Sequence, residues 1–144
     1  MKRKMISLIS FLALLVLSVC CMASCGSDQV KATVVDHYDN LLAIKIDETD
    51  GKATLQDAMK NLQKADKIAY QTDATGMITA IGGVENSANS YWMLYTTDAE
   101  FSNAEWGTCS YAGKDLQSAI LGAASLVVKA GEIYVWSYQT LVSL

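Results

Sequence analysis

The chain has 144 residues, of which 51% are hydrophobic and 18% charged, and its formal net charge at pH 7 is −4. A chain of this length and apolar content suits a single domain with its own core and is not typical of a disordered tail. The acidic balance argues against nucleic acid as a partner, because surfaces that bind nucleic acid are basic.

The first 24 residues have the features of an export signal. Lys2, Arg3 and Lys4 make the start of the chain positive, and residues 5–22 are apolar apart from three serines. This order of a basic segment and an apolar run is typical of a secretory leader. An uncleaved membrane helix is the alternative, because the apolar run is just long enough to cross a bilayer.

The end of this leader suggests a lipid anchor. Met-Ala-Ser-Cys, ending at Cys25, resembles the bacterial lipobox, which implies that Cys25 receives a diacylglycerol and becomes the first residue of the mature protein. Cys20 and Cys21 are weaker candidates, because Val19 and Cys20 replace the small residue expected before the cut. Two acyl chains are enough for lasting anchorage. We therefore predict a lipid-anchored protein on the extracytoplasmic face of the cell membrane.

Removal of the leader changes the charge and the cysteine count. Three of the eleven basic residues are lost, which leaves eight against fifteen acidic ones. Once Cys25 is lipidated, Cys109 is the remaining free thiol, so no intramolecular disulfide can form. We predict that residues 25–33 are the lipidated cysteine and a short polar tether, and that residues 34–144 are one domain.

The first elements of this domain are predicted to be a hairpin and a helix. Apolar and β-branched runs at 32–35 and 41–46 flank a turn at residues 39–40. Thr54 and Asp57 are spaced as in a capping box, which opens a helix. The apolar residues after this cap fall at helical spacing and form one stripe that faces a core: Leu55, Ala58, Met59 and Leu62.

Strand-like patterns follow the helix, which ends at residues 66–67. They cover residues 68–70, 77–81, 91–95, 108–111 and 133–141 and are separated by turns. Residues 116–128 also fit a helical stripe, but we favour strands there. This order of elements predicts an α+β domain with a mixed or antiparallel sheet packed on one main helix.

Several segments resemble a known family. They are residues 54–58 at the helix start, residues 76–84, Tyr-Trp-Met-Leu-Tyr at 91–95, and residues 130–138 with their Trp-x-Tyr strand. In this order and spacing they resemble the transcobalamin and intrinsic-factor C-terminal-like domain, which is also found in many bacterial surface proteins. The resemblance covers most of the mature chain and implies a β-grasp-like, ligand-binding fold.

The same resemblance suggests a ligand. In the vertebrate vitamin carriers this domain closes over cobalamin opposite a helical barrel, which makes a corrinoid the first candidate. We expect no helical partner domain within the chain, so half of the carrier's pocket would be missing. Cobalamin is expected as a ligand and not as a cofactor.

Aromatic residues are the best candidates for ligand contact, because Tyr and Trp combine a large apolar surface with a polar group. Trp106 lies in a loop-like Ala-Glu-Trp-Gly segment. We hypothesise that Trp106, Tyr91, Tyr95 and Tyr111 line a shallow groove. Core packing is the alternative for each of them, and alternation puts Tyr91 and Tyr95 on one face of their strand and Trp92 on the other.

The sequence contains no recognisable catalytic or metal-binding motif. His37 lies between Asp36 and Asp39, where the chemistry of a hairpin turn explains all three residues. Residues 47–51 lack the alternating carboxylates of a calcium loop. No nucleophile stands beside a base in a known motif, so we expect neither an enzyme nor a metal site.

Together these features predict a membrane-anchored, extracytoplasmic binding module for a corrinoid or another small ligand. The alternative is an adhesion or protein-interaction module on the cell surface, which would pair an exposed sheet edge with a partner protein. A ligand-binding module requires a concave pocket, whereas an adhesive module requires an exposed apolar patch or a free edge.

Overall fold

A computed structural model describes residues 29–141, which form a mostly β domain. Its strands are β1 (Val30–Tyr38), β2 (Leu41–Thr49), β3 (Tyr70–Thr72), β4 (Ile78–Ile81), β5 (Val84–Glu85), β6 (Ser90–Thr96), β7 (Ser102–Tyr111), β8 (Lys114–Ala119) and β9 (Ile133–Thr140). The helix α1 (Leu55–Lys64) follows β2, and a short 3₁₀ helix (Ala99–Phe101) precedes β7.

The predicted α+β, β-grasp-like class is wrong. Within the described residues there are nine strands and a single α-helix of ten residues, so the helix is an addition to a β domain. Sequence periodicity underestimated the strands because β7 includes the polar segment 102–107, which carries no alternating pattern. Residues 102–103 and 108–111 pair with β8 on either side of residues 104–107, so β7 depends on pairing, which is a tertiary property.

Two antiparallel sheets make up the fold. The larger has six strands in the order β1-β2-β9-β6-β8-β7, and the smaller has the order β3-β4-β5. Every strand pair is antiparallel, so the sheet is not mixed. The hairpin turn at Asp39-Asn40 is confirmed, with Tyr38 paired to Leu41 across it. β1 begins at Val30, inside the segment predicted as a tether.

The main core lies between one face of the large sheet and helix α1. The capping box is confirmed: the Asp57 amide donates to the Thr54 hydroxyl oxygen at 3.2 Å, and the Thr54 amide donates to the Asp57 carboxylate at 2.9 Å. The predicted apolar stripe is buried in full. It packs against Leu42, Ile44, Ile46 and Tyr134 from the large sheet and Ile78 and Ile81 from the small one.

Residues 116–128 are only partly strand. β8 ends at Ala119, and residues 120–128 form a turn-rich segment in which the Leu126 amide donates to the Gly122 carbonyl at 3.0 Å. The amides of Leu55 and Gln56 at the start of α1 donate to this segment at 2.9 and 3.0 Å. Ala123, Leu126 and Val128 are buried in the main core, whereas Ile120 is exposed, so the helical stripe fitted to the sequence does not correspond to one buried face.

A second, smaller core lies on the opposite face of the large sheet. It contains Ala43, Tyr95, Leu116 and Val135, and all four are buried. The sheet curls over this core, because the Tyr111 hydroxyl of β7 donates to the Asp36 carboxylate of β1. These strands are the two edges of the sheet. The curl therefore buries both faces of the central strands.

The predicted leader, residues 1–24, and the predicted lipidation site, Cys25, lie outside the described residues. Among residues 29–141, no helix is long and apolar enough to span a bilayer.

Candidate functional site

A broad groove of about 700 Å³ opens on the main-core face of the large sheet. Its floor consists of side chains from the central strands β6 and β9. Its walls come from three places: the turn before β4, the segment that follows β8, and an excursion of the edge strand β7. The groove is thus assembled from parts of the chain that are far apart in sequence.

The floor of the groove is formed by Trp92, Leu94 and Trp136, which are almost completely buried. Leu94 and Trp136 are direct partners across β6 and β9. The indole N–H of Trp92 donates to the Val84 carbonyl at 2.8 Å, so this end of the floor also holds the small sheet. Trp92 and Leu94 share a face that packs in the main core; the sequence pattern leaves open which face of β6 is buried.

Asn86 fixes the small sheet to the same strand. Its side-chain amide donates to the Ile78 carbonyl at 2.9 Å, and its side-chain oxygen accepts from the Trp92 amide at 2.9 Å. Because both ends of this side chain are hydrogen-bonded, β4 and β6 keep a constant separation. The wall at Met77, directly before β4, is therefore held in place relative to the floor.

Trp106 forms the opposite wall and belongs to an excursion within β7. Asn103 pairs with Ser118 and Thr108 with Gln117, so residues 104–107 are four extra residues between two adjacent positions of β8. The Asn103 side-chain oxygen accepts from the Glu105 amide at 2.9 Å, and Gly107 has φ of 128°. The excursion aims Trp106 at the groove, where the side chain is 61% exposed.

Exposed apolar side chains concentrate at this groove. The described residues include seven exposed large hydrophobic side chains, and five of them line it: Met77, Trp106, Ile120, Leu121 and Leu141. None of the residues that line it is charged. Scattered exposed apolar residues are ordinary on a protein surface, but a contiguous patch marks a contact site.

One polar group in the floor lacks a partner. The indole N–H of Trp136 is buried and, within the described residues, has no hydrogen-bond acceptor. A buried donor without an acceptor costs about 1–3 kcal/mol. An acceptor supplied from the groove would remove this cost.

The four predicted site residues do not all meet. Trp106 and Tyr91 line the groove, and the Tyr91 hydroxyl donates to the Ala88 carbonyl at 2.9 Å. Tyr95 and Tyr111 instead pack at the second core. The four residues therefore do not line one groove: Trp106 and Tyr91 lie at the groove, and Tyr95 and Tyr111 lie at the second core.

These two tyrosines have structural roles. Tyr95 is 2% exposed and its hydroxyl donates to the Gln139 side-chain oxygen at 3.0 Å; burial raises its pKa. Burial and the adjacent Asp36 carboxylate raise the pKa of Tyr111 to about 12. Both hydroxyls therefore stay protonated and hydrogen-bonded at any physiological pH.

Four residues of the groove were not found from the sequence: Met77, Ile120, Leu121 and Leu141. Apolar residues next to turns were the available signal, since Met77 follows Gly76 and Leu121 precedes Gly122. An apolar residue beside a glycine turn is as often buried as exposed, so this signal could not separate them from the core.

A second depression, of about 690 Å³, is charged and lies elsewhere. There Lys129 contacts Asp98 at 3.0 Å and Glu100 at 2.5 Å, and its ammonium group lies 5.2 Å from the Phe101 ring centroid. The two carboxylates raise the pKa of Lys129. This network ties the 3₁₀ helix to the segment before β9, so its charges have structural partners. No group of three metal-ligating side chains occurs among residues 29–141.

One family matches part of the chain. Residues 52–104 are similar to the family described as "Domain of unknown function (DUF4430)". No curated protein and no solved structure matches the chain. The matched segment runs from the start of α1 into β7 and includes Met77 and Trp92, whereas Trp106 and Trp136 lie beyond it.

Proposed function

We propose that this protein is a binding module that holds a small ligand in the apolar groove. The observation that carries the proposal is the clustering there of five of the seven exposed large hydrophobic side chains of the described chain. The groove volume of about 700 Å³ falls within the range of small-molecule sites, roughly 300–1,000 Å³. Apolar walls with few polar groups are also typical of such sites.

A corrinoid is the first ligand to test. The segments that resemble the vitamin-carrier domain meet in this groove, because Trp92 belongs to Tyr-Trp-Met and Trp136 to Trp-x-Tyr, and both lie in its floor. The match to a family over residues 52–104 covers the first of these segments. An open groove would contact one face of a large ring and leave the other face to a second module or to solvent.

Membrane anchoring at Cys25 would suit this use of the groove. Val30 pairs with Thr49 at one end of the large sheet, whereas Ser90 pairs with Thr140 at the other end, next to Leu141 of the groove. Five residues of extended chain separate Cys25 from Val30, a reach of at most about 17 Å. An anchored domain would thus have its strand entry near the bilayer and its groove at the far end, open to the exterior.

Titration with cobalamin and cobinamide tests the proposal. The full chain in lipid nanodiscs is titrated while corrin absorbance and heat are recorded, with empty nanodiscs as blank. We expect saturable binding with Kd of about 1 μM or tighter, which is about −8 kcal/mol. Trp106→Ala should weaken it, and Tyr38→Ala, which removes an exposed aromatic residue outside the groove, should not.

Protein interaction at the same patch is the second candidate. A contiguous apolar surface also suits a partner's side chains, as would an adhesion role at the cell surface. If no small ligand binds, yet Trp106→Ala abolishes cross-linking of the anchored protein to a neighbour on intact cells while Tyr38→Ala does not, the groove is a protein interface. Catalysis forms no part of either proposal.

A further inference from the structure

The chemistry of the groove restricts which ligands it can take, and this inference rests on the proposed binding function. The residues that line it carry no formal charge. A charged group moved from water into such a site would lose its hydration without gaining a counter-ion. The part of the ligand that enters must therefore be uncharged.

The shape of the floor favours a flat ligand. Trp92, Leu94 and Trp136 project from one face of two neighbouring strands, whose axes are about 4.8 Å apart. Such a floor is broad, whereas a flexible acyl chain fills a narrow channel best. Trp106 and Met77 stand at the walls with 61% and 65% of their surface exposed, so a flat ring would cover both and gain contact with an indole face.

The unpaired donor of Trp136 adds one polar requirement. Its indole N–H is buried and has no acceptor among the described residues, whereas the N–H of Trp92 on the adjacent strand already donates to Val84 at 2.8 Å. This N–H is buried, so a ligand oxygen reaches it only after the residues over it move, and the hydrogen bond would then remove the cost of the unpaired group. Trp92 offers no such gain.

We propose that the groove selects a planar, uncharged ring system that carries a carbonyl oxygen for the Trp136 N–H. Trp106 covers one flank of the ring and Met77 the other. Trp136 is thus the residue that determines specificity, and Trp106 contributes affinity. The same selection would act on whichever part of a larger ligand enters the groove.

Four related probes test this selection: 9-fluorenone, fluorene without the carbonyl, 9-fluorenone-4-carboxylate with a charge, and perhydrofluorene with rings that are not flat. The chain has three tryptophans, so its indole N–H signals can be followed in ¹H–¹⁵N spectra of the full chain in nanodiscs. We expect fluorenone to shift the Trp106 and Trp136 signals saturably, and to bind about fivefold more tightly than fluorene. The Trp92 signal should move least.

The remaining probes should bind more weakly. 9-Fluorenone-4-carboxylate should bind at least about tenfold more weakly than 9-fluorenone, because its charge has no partner in the groove. Perhydrofluorene should bind about fivefold more weakly than fluorene, because its rings are not flat and cannot stack on the indole of Trp106. Trp136→Phe should remove the preference, so that the ratio of fluorenone affinity to fluorene affinity falls from about fivefold to about one.

Three results would overturn the inference: equal binding of fluorenone and fluorene to the wild type, a fluorenone preference that survives Trp136→Phe, or tight binding of the carboxylate. Should Trp136→Phe fail to fold, the ratio of fluorenone affinity to fluorene affinity is measured on the wild type and on Trp106→Ala. The inference predicts a ratio of about five for both proteins. If fluorenone and fluorene bind the wild type equally and Trp106→Ala weakens both, the proposed selection fails but the proposed binding groove stands. If neither they nor corrinoids bind, the proposed function fails as well.

Discussion

Both faces of the large sheet carry aromatic residues, but their polar groups differ in hydrogen bonding. On the second-core face, the hydroxyls of Tyr95 and Tyr111 donate to Gln139 and Asp36. On the groove face, Trp106 is exposed and the buried N–H of Trp136 has no acceptor among the described residues. The hydroxyls of Tyr95 and Tyr111 are satisfied within the protein, whereas the groove face has a buried donor without an acceptor and an exposed apolar surface.

This difference separates structural aromatic residues from candidate binding residues. Aromatic character does not distinguish them, because Tyr95 and Tyr111 lie on one face and Trp106 and Trp136 on the other. Completeness of contacts does, since a side chain with all its partners inside the fold has little to offer a ligand. Variants on the two faces should therefore affect different properties.

Replacement of Tyr95 should have the largest effect, and on stability alone. Tyr95→Ala removes a ring that is 2% exposed, and we expect it to lower the free energy of unfolding by about 3 kcal/mol. Urea denaturation of the full chain in lipid vesicles, followed by tryptophan fluorescence, measures this. Unchanged stability would mean that the second core does not hold the sheet, whereas ligand affinity of the folded fraction should stay as in the wild type.

Trp106→Ala should show the opposite behaviour. Its side chain is mostly exposed and lies in an unpaired excursion of β7, so we expect the free energy of unfolding to change by less than about 0.5 kcal/mol. Affinity for a groove ligand should fall by about tenfold, or 1.4 kcal/mol. Calorimetric titration together with urea denaturation checks both, and a large loss of stability would place Trp106 in the structure instead of the site.

Tyr111→Phe tests the bond that joins the two sheet edges. It removes the donor to Asp36 and should lower the free energy of unfolding by about 1–2 kcal/mol, in the range for hydrogen bonds to charged groups. Amide hydrogen exchange should increase first in β1 and β7. Exchange that rises evenly over all strands would argue against a role for this bond in holding the edges.

Alkaline pH should weaken the same bond. The pKa of Tyr111 is raised to about 12 in the folded protein, from about 10 for an unperturbed tyrosine. The folded state thus holds this proton more tightly, so the stability linked to it is fully present below pH 10 and is lost as the pH rises towards 12. Other tyrosines also have raised pKa values, so wild type is compared with Tyr111→Phe. The difference between their free energies of unfolding should become smaller as the pH rises from 10 to 12.

The smallest expected effect compares two indoles on adjacent strands. Trp92→Phe removes the donor to the Val84 carbonyl, whereas Trp136→Phe removes a donor without an acceptor. Both lose similar ring area, so we expect Trp92→Phe to be more destabilising by about 1 kcal/mol. Thermal unfolding of the two variants in parallel tests this, and equal melting temperatures would show that the Trp136 N–H has an acceptor.

Local structure could largely be predicted from the sequence. The Asp39-Asn40 turn, the Thr54–Asp57 capping box and the alternation in β6 are confirmed, because each depends on residues within a few positions of one another. The fold class could not be predicted, since β7 forms by pairing of residues 102–103 and 108–111 with β8 and not from an alternating pattern of its own.

The candidate site divides in the same way. Trp106 was identified because it lies in a loop-like Ala-Glu-Trp-Gly segment, where an exposed tryptophan indicates a contact surface, and it does line the groove. Tyr95 and Tyr111 were assigned to the groove wrongly, because alternation states which residues share a face but not which face remains open. Ile120, Leu121 and Leu141 were missed, because their exposure depends on neighbours distant in sequence.

The sequence by itself determined where turns, caps and alternating strands occur, since these follow from interactions between near neighbours along the chain. Only the tertiary structure decided which of the aromatic residues bind and which support the fold. The reason is the curl of the large sheet: the bond between Tyr111 and Asp36 spans 75 residues of sequence and encloses one aromatic face, leaving the other, with Trp106 and Trp136, to form the groove.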